Sequence, residues 1–153
     1  MLEYYVMKGI LKNMNIDDFH SYIGKTIMHC QTVENDIKWI YSGMREGNYV
    51  ETYNSISLWT LGKTIKQLRL LDESDGNPYL SNEDYQLLEE IKSFRNHLTH
   101  QIYRNFLYKE NFSLTEEYKN ECSRLKSFYE RIKKLYREVE KVRLEVLKHY
   151  KRI

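Results

Sequence analysis

The sequence predicts an all-α fold, an antiparallel four-helix bundle that ends in a long C-terminal helix. One proline and six glycines in 153 residues leave few points at which a helix must break. Apolar residues recur at steps of three and four along most of the chain, which is the period of a helix with one buried face. The length suits one hydrophobic core, so we expect residues 1–153 to form a single domain.

The first helix is predicted to begin after Asn15, a capping residue, with Asp17 and Asp18 in the turn where the helix dipole favours acids. Ser42-Gly43 and Gly47-Asn48 are expected to end it. Its apolar positions form one stripe, which consists of Phe19, Ile23, Ile27, Cys30, Val33, Ile37, Ile40 and Met44.

A second helix is predicted from about Glu51 to near Asp72. Its apolar positions share one face and are Leu58, Leu61, Ile65 and Leu68. Asp75-Gly76-Asn77-Pro78 forms a turn after it, since these residue types favour tight turns and proline cannot continue a helix.

The third helix is predicted to begin at Ser81, with Glu83 and Asp84 in its first turn, and to run to about Tyr108. Its apolar stripe consists of Leu87, Ile91, Phe94, Leu98 and Ile102.

The fourth helix is predicted after Ser113-Leu114-Thr115-Glu116, which has the spacing of a capping box. Its apolar positions are Leu125, Phe128, Ile132, Leu135, Val139, Val142 and Val146. A continuous helix from Glu116 to Lys151 would be about 54 Å long, so we expect its end to project or to pack on another subunit. Near-antiparallel packing is the simplest way for four such helices to bury their stripes.

The net charge of +2 conceals an asymmetry. Residues 72–90 hold seven acids and no Lys or Arg, whereas residues 119–153 hold twelve basic residues and five acids. Either the two segments pack side by side, or the basic helix meets a polyanion through residues such as Lys133, Lys134 and Arg137. The fourteen tyrosines leave a similar choice, between rings at the rim of the core and rings that stack on bases.

Several classes of protein are disfavoured. No run of about 18 apolar residues suggests a membrane span. Residues 1–6 lack the basic start of a signal peptide, so we expect a cytoplasmic protein. Cys30 and Cys122 are isolated on apolar stripes, which predicts reduced, buried and unreactive thiols rather than a redox pair, a zinc knuckle or a Cys–His nucleophile.

A metal site is also disfavoured. His97 and His100 are three residues apart, but no acid or cysteine lies between Lys92 and Lys109, so only two ligands are local. We therefore expect neither a metal ion nor another cofactor.

One polar face of the third helix has the residue types of a chemical site. On a helical wheel that starts at Phe94, the outward arc from about 100° to 240° holds Arg95, Asn96, Thr99, His100 and Tyr103. An arginine offers a fork of donors to a phosphate, and a histidine can move protons near neutral pH. The same pair is also common on solvated helix faces that have no function.

His97 falls at the edge of the apolar stripe instead of on the polar face. We therefore predict that it is a boundary histidine bonded to a neighbouring side chain.

The segment Ser93-Phe94-Arg95-Asn96-His97-Leu98-Thr99-His100 resembles the signature of the HEPN superfamily, in which an arginine and a polar residue precede a histidine by a few positions. HEPN domains are four-helix bundles that carry this motif just before the final long helix. The resemblance covers about Asn15 to Tyr150, and its specific part is Arg95, Asn96 and His100.

The resemblance implies a reaction, because many HEPN proteins are metal-independent endoribonucleases, often toxins or antiviral effectors, with an active cleft between two copies of the motif in a homodimer. By this likeness His100 is the general acid or base, Arg95 stabilises phosphate charge, and Asn96 orients the scissile group. The expected product is a 2′,3′-cyclic phosphate. Thr99 and Tyr103 would contact the RNA, as would the basic residues of the last helix.

Two further expectations concern partners. An antitoxin or another neutralising protein is a possible partner of a toxin. One toxin branch, however, carries a tyrosine two residues after the histidine as the target of a nucleotidyltransferase antitoxin, and this chain has Ile102 there, followed by Tyr103. Since some HEPN proteins have lost catalysis, the alternative is an inactive helical module that binds RNA or a protein.

Overall fold

A computed structural model describes residues 14–153. This range contains five α-helices and one 3-10 helix, and no strand: α1 is Ile16–Met44, α2 is Tyr49–Ile56, α3 is Leu61–Asp72, α4 is Asn82–His100, the 3-10 helix is Phe112–Leu114, and α5 is Glu116–His149. The all-α prediction is confirmed. The residues on which the absence of a signal peptide was predicted lie outside the described range.

The predicted caps account for the starts of α1 and α4. The side chain of Asn15 accepts a hydrogen bond from the backbone N–H of Asp18 at 2.8 Å. Ser81 and Asp84 form a reciprocal capping box at the start of α4. Thr115 caps α5, so the prediction of the cap two residues earlier is wrong. The 34 residues of α5 form one continuous helix that ends at His149, which confirms the prediction of a long C-terminal helix.

The predicted second helix is in fact two helices, α2 and α3. The chain leaves the helix after Ile56, and Thr60 caps α3 by accepting from the backbone N–H of Lys63 at 3.2 Å. Leu58 lies in the joint with its side chain 97 % exposed, so its placement on the apolar face is wrong.

The helix that carries the motif, α4, ends at His100 and not near Tyr108. The backbone N–H groups of the next two residues both donate to the carbonyl oxygen of His97, at 2.9 and 2.8 Å. Turns follow, and they place Ile102 and Phe106 in the core. Burial of these two side chains stabilises the early end of the helix.

Side-chain contacts give the directions of the longest helices. Along α1 and α5 the contacts advance together, from Tyr22 with Tyr129 to Asp36 with Arg143. Along α4 and α5 they advance in opposite senses, as Glu90 pairs with Arg131 and His97 with Glu121. Thus α1 and α5 are parallel, which departs from the antiparallel order predicted for all neighbours. The split of the second helix explains this, because it adds one reversal of the chain.

The core lies where α1, α4 and α5 meet. All seven apolar positions predicted for the last helix are buried, as are Phe94 and Leu98 of α4. No helix in the described part of the chain combines the length and the apolar character that a bilayer crossing requires.

Candidate functional site

The motif occupies the last two turns of α4. Phe94 and Leu98 are buried at 5 % and 4 % exposure and fix these turns against the core. Four polar positions of the motif are exposed, and they are Ser93, Asn96, Thr99 and His100. The predicted outward orientation of Asn96, Thr99 and His100 is therefore confirmed.

His100 is the last residue of α4 and borders an open cleft of about 260 Å³. The turns that follow α4 form the rest of this cleft, including Tyr103, Arg104 and Tyr108. The hydroxyl of Thr99 donates to the carbonyl of Arg95 at 3.0 Å, so the helix itself satisfies it. An exposed imidazole beside an open cleft is accessible to a large substrate.

Tyr103 is half-buried and does not continue the polar face of α4. Its ring packs edge-on against Phe19 at 5.8 Å between ring centres and lies 5.7 Å from the ring of His20. Burial raises the pKa of its hydroxyl. Its predicted outward position is wrong because α4 ends three residues before it, so the wheel no longer applies.

Arg95 is turned toward α1 and not toward solvent. Its Nη1 forms an ion pair with the carboxylate of Glu34, and its side chain is one third exposed. The other oxygen of Glu34 lies 3.6 Å from the Nζ of Lys38. Lys38 is buried and donates to the carbonyl of Ser57 at 2.9 Å. This network holds the Arg95 guanidinium against α1.

The boundary role predicted for His97 is confirmed. Its Nε2 lies 2.8 Å from Oε2 of Glu121 on α5, and the two side chains are only 11 % and 8 % exposed. The Nη1 atom of Arg124 lies 3.3 Å from the same ring nitrogen. His97 therefore joins α4 to α5 and satisfies a buried carboxylate.

Lys133 lies at the junction of α1 and α5, away from the motif. Its Nζ is 5.9 Å from the ring centre of Tyr129. The burial of His29 and the nearby positive charge of Lys133 both lower the pKa of His29. Tyr129 also packs against Tyr22 at 5.3 Å. These tyrosines contact one another at the rim of the core. Within residues 14–153 no contact joins Lys133 to His100.

Lys134 faces the acidic segment and not the motif. It lines a cleft with Glu83 and Glu90 of α4, and the neighbouring Arg131 forms an ion pair with Glu90. Arg137 is exposed and has no ion pair within the described range. The acidic and basic segments thus lie side by side here, and the three predicted basic residues do not form one surface with His100.

Both cysteines are buried, as predicted. Burial raises the pKa of the Cys30 thiol to about 12 and also raises the pKa of Cys122. Neither thiol is therefore activated as a nucleophile in the folded chain. Across residues 14–153, no three His, Cys, Asp or Glu side chains lie close enough together to hold a metal ion.

The sequence analysis did not predict three residues that contact the motif, which are Glu34, Glu121 and Arg124. The four-residue spacing of Glu34 and Lys38 was a weak local signal for a polar cluster on α1. Nothing in the sequence links Glu121 or Arg124 to α4.

Comparison with known proteins gives no match, either to a family model, to a curated protein or to a solved structure. The likeness of the motif to the HEPN signature therefore depends on the residues of the chain alone.

Proposed function

We propose that this chain is a HEPN-type helical protein and a cytoplasmic, metal-independent endoribonuclease that acts as a homodimer, in the manner of a toxin or an antiviral effector. The observation that carries the proposal is the exposure of Asn96 and His100 on one face of α4, one turn apart, where α4 borders an open cleft. The buried Phe94 and Leu98 hold this face rigid, which favours catalysis because it fixes the reacting groups in advance.

The reaction requires two proton transfers. The ribose 2′-oxygen forms a bond to phosphorus while its proton passes to a base, and the bond from phosphorus to the 5′-oxygen breaks while that oxygen gains a proton from an acid. The products are a 2′,3′-cyclic phosphate and a 5′-hydroxyl. His100 serves as one of the two groups, and the His100 of a second copy serves as the other.

Arg95 stabilises the negative charge that grows on the phosphate oxygens. A guanidinium has five N–H donors, and the ion pair with Glu34 engages Nη1. Glu34 is thus a positioning residue, which orients the guanidinium while other donors remain for the phosphate. Asn96 offers an amide beside His100, and Thr99 and Tyr103 border the cleft.

The proposal is tested by RNA cleavage in excess EDTA. We expect the unmodified chain to cleave at an undiminished rate, and Arg95→Ala to lower kcat/KM by about 10²–10³-fold, the usual effect of losing one charge-stabilising donor. Arg95→Lys keeps a charge beside Glu34 but loses the fork of donors, so it is expected to stay impaired without loss of stability.

The exposed Arg45 provides the control, since Arg45→Ala removes the same charge from a loop remote from the motif. Cleavage that needs a divalent ion would contradict the proposal. So would activity that is equal in Arg95→Ala, Arg95→Lys and Arg45→Ala.

The pairing of Arg95 with Glu34 favours one other function, a HEPN-like module that binds RNA or a protein without cleaving it. An arginine that is already neutralised suits a structural role. In this case the same assay shows no cleavage product, and His100→Ala leaves binding unchanged.

A further inference from the structure

A groove between α4 and α5 has no part in the reaction described above. It encloses about 510 Å³, and its base is formed by Phe94 and Phe128, whose ring centres are 3.9 Å apart. Three cationic side chains line the groove, and they are Lys92, Arg124 and Arg131. The sequence predicted nucleic-acid contacts at other residues of α5, which are Lys133, Lys134 and Arg137.

The three cations differ in how strongly they are held. Lys92 pairs with Glu89 at 2.8 Å, and Arg131 pairs with Glu90. All four of these side chains are about half exposed, and exposed ion pairs contribute only about 0–1 kcal/mol, so an incoming phosphate can replace either glutamate.

Arg124 is the cation that is already available. Within residues 14–153 no carboxylate lies within ion-pair distance of it. The carbon at the centre of its guanidinium lies 5.1 Å from the ring centre of Phe94, and Nη1 lies 3.3 Å from the ring of His97. Contact with an aromatic ring restrains a guanidinium while its in-plane N–H donors remain directed outward, toward a planar or tetrahedral anion.

The groove continues toward the proposed catalytic residue. Ser93, Asn96 and His100 follow one another at steps of three and four on the exposed side of α4, and Ser93 forms part of the groove wall. Seven residues of helix separate Ser93 from His100, a distance of about 10 Å along the axis. Arg124 and Arg131 are also seven residues apart, so the cations extend about 10 Å along α5.

We infer that this groove binds the phosphate backbone of the RNA strand next to the scissile bond, with Arg124 as its principal phosphate-binding residue. The identity of the polyanion rests on the proposed function. An elongated groove with spaced cations fits a strand better than a single small anion. The hydroxyls of Ser93 and Ser127 add neutral donors and acceptors for sugar and phosphate oxygens.

The inference is tested by binding in a background that does not cleave. A fluorescein-labelled single-stranded RNA is titrated with the His100→Ala chain, and anisotropy gives the Kd at several salt concentrations. Adding Arg124→Ala is expected to raise the Kd several-fold and to lower the slope of log K against log salt by about 0.7, the value for one lost phosphate contact. Arg131→Ala, which is remote from His97, is expected to act in the same direction.

Lys141→Ala is the matched control, because Lys141 is an exposed cation of α5 outside the groove. Thermal melting verifies that each variant is folded at the temperature of the titration, because Arg124→Ala also loses the contact of its guanidinium with the Phe94 ring. Equal Kd values and equal salt slopes for the Arg124, Arg131 and Lys141 variants would overturn the inference that the groove binds RNA. Absence of RNA binding by His100→Ala itself would also overturn it, whereas the endoribonuclease proposal is judged separately, by cleavage.

Discussion

His100→Ala is expected to remove RNA cleavage, with a loss in kcat/KM of at least about 10²–10⁴-fold, the usual contribution of one positioned general acid or base, because both copies in the homodimer lose their imidazole. The variant keeps the exposed face of α4 and its rigid support by Phe94 and Leu98. Because His100 is an exposed residue at the helix end, its truncation leaves no cavity in the core. Single-turnover cleavage of a labelled RNA measures the rate, and far-UV circular dichroism verifies the helix content.

His149 provides the control, since it is another exposed histidine at the last position of a helix. His149→Ala is expected to cleave at the rate of the unmodified chain. A rate for His100→Ala of a tenth or more of that of the unmodified chain would contradict a role of His100 as general acid or base.

His97→Ala is expected to destabilise the fold by about 3–5 kcal/mol, the usual cost of leaving a buried charged group without its partner. Glu121 is 8 % exposed in its side chain, and His97 is its hydrogen-bond partner at 2.8 Å. Removal of the imidazole takes this hydrogen bond away from a carboxylate that is largely shielded from solvent. Since whole domains are stable by only about 5–15 kcal/mol, this loss is large. Urea unfolding measures it.

The double variant His97→Leu with Glu121→Leu separates the lost pairing from lost volume. It removes both polar groups together and is expected to recover most of the stability, because no buried charge remains unpaired. A loss below about 1 kcal/mol in His97→Ala would show that Glu121 does not depend on it. The two histidines thus have different roles: His97→Ala is expected to lose stability, whereas His100→Ala is expected to lose activity with its fold intact.

Much of the helical structure was predictable from the sequence because its signals are local. Asn15 and Ser81 cap the helices that follow them, and the apolar period of α5 identified its buried face. Where the prediction was wrong, long-range packing or a competing cap determined where the helix begins or ends. Leu58 fits the helical period but lies in a joint because Thr60 caps a new helix. The end of α4 depends on the burial of Ile102 and Phe106, which no local pattern shows.

The candidate site was predictable only as a face of one helix. The wheel gave the exposure of Asn96 and His100 and the boundary position of His97, since these follow from the helical period. It could not give the partner of Arg95, because Glu34 lies 61 residues earlier in the chain. The excess of basic residues near the C-terminus predicted RNA contacts at Lys133, but it could not show which of these residues lies beside α4. The folded chain places Arg124 beside the motif.

The chemistry of the cleaved ends tests the proposed endoribonuclease most directly. RNA is incubated with the unmodified chain in EDTA, and mass spectrometry identifies the new termini on both fragments. Attack by the 2′-hydroxyl predicts a 2′,3′-cyclic phosphate on one fragment and a 5′-hydroxyl on the other, and a single 2′-deoxy substitution at the mapped position should prevent cleavage there. A 3′-hydroxyl paired with a 5′-phosphate, or cleavage unaffected by the missing 2′-hydroxyl, would contradict the mechanism.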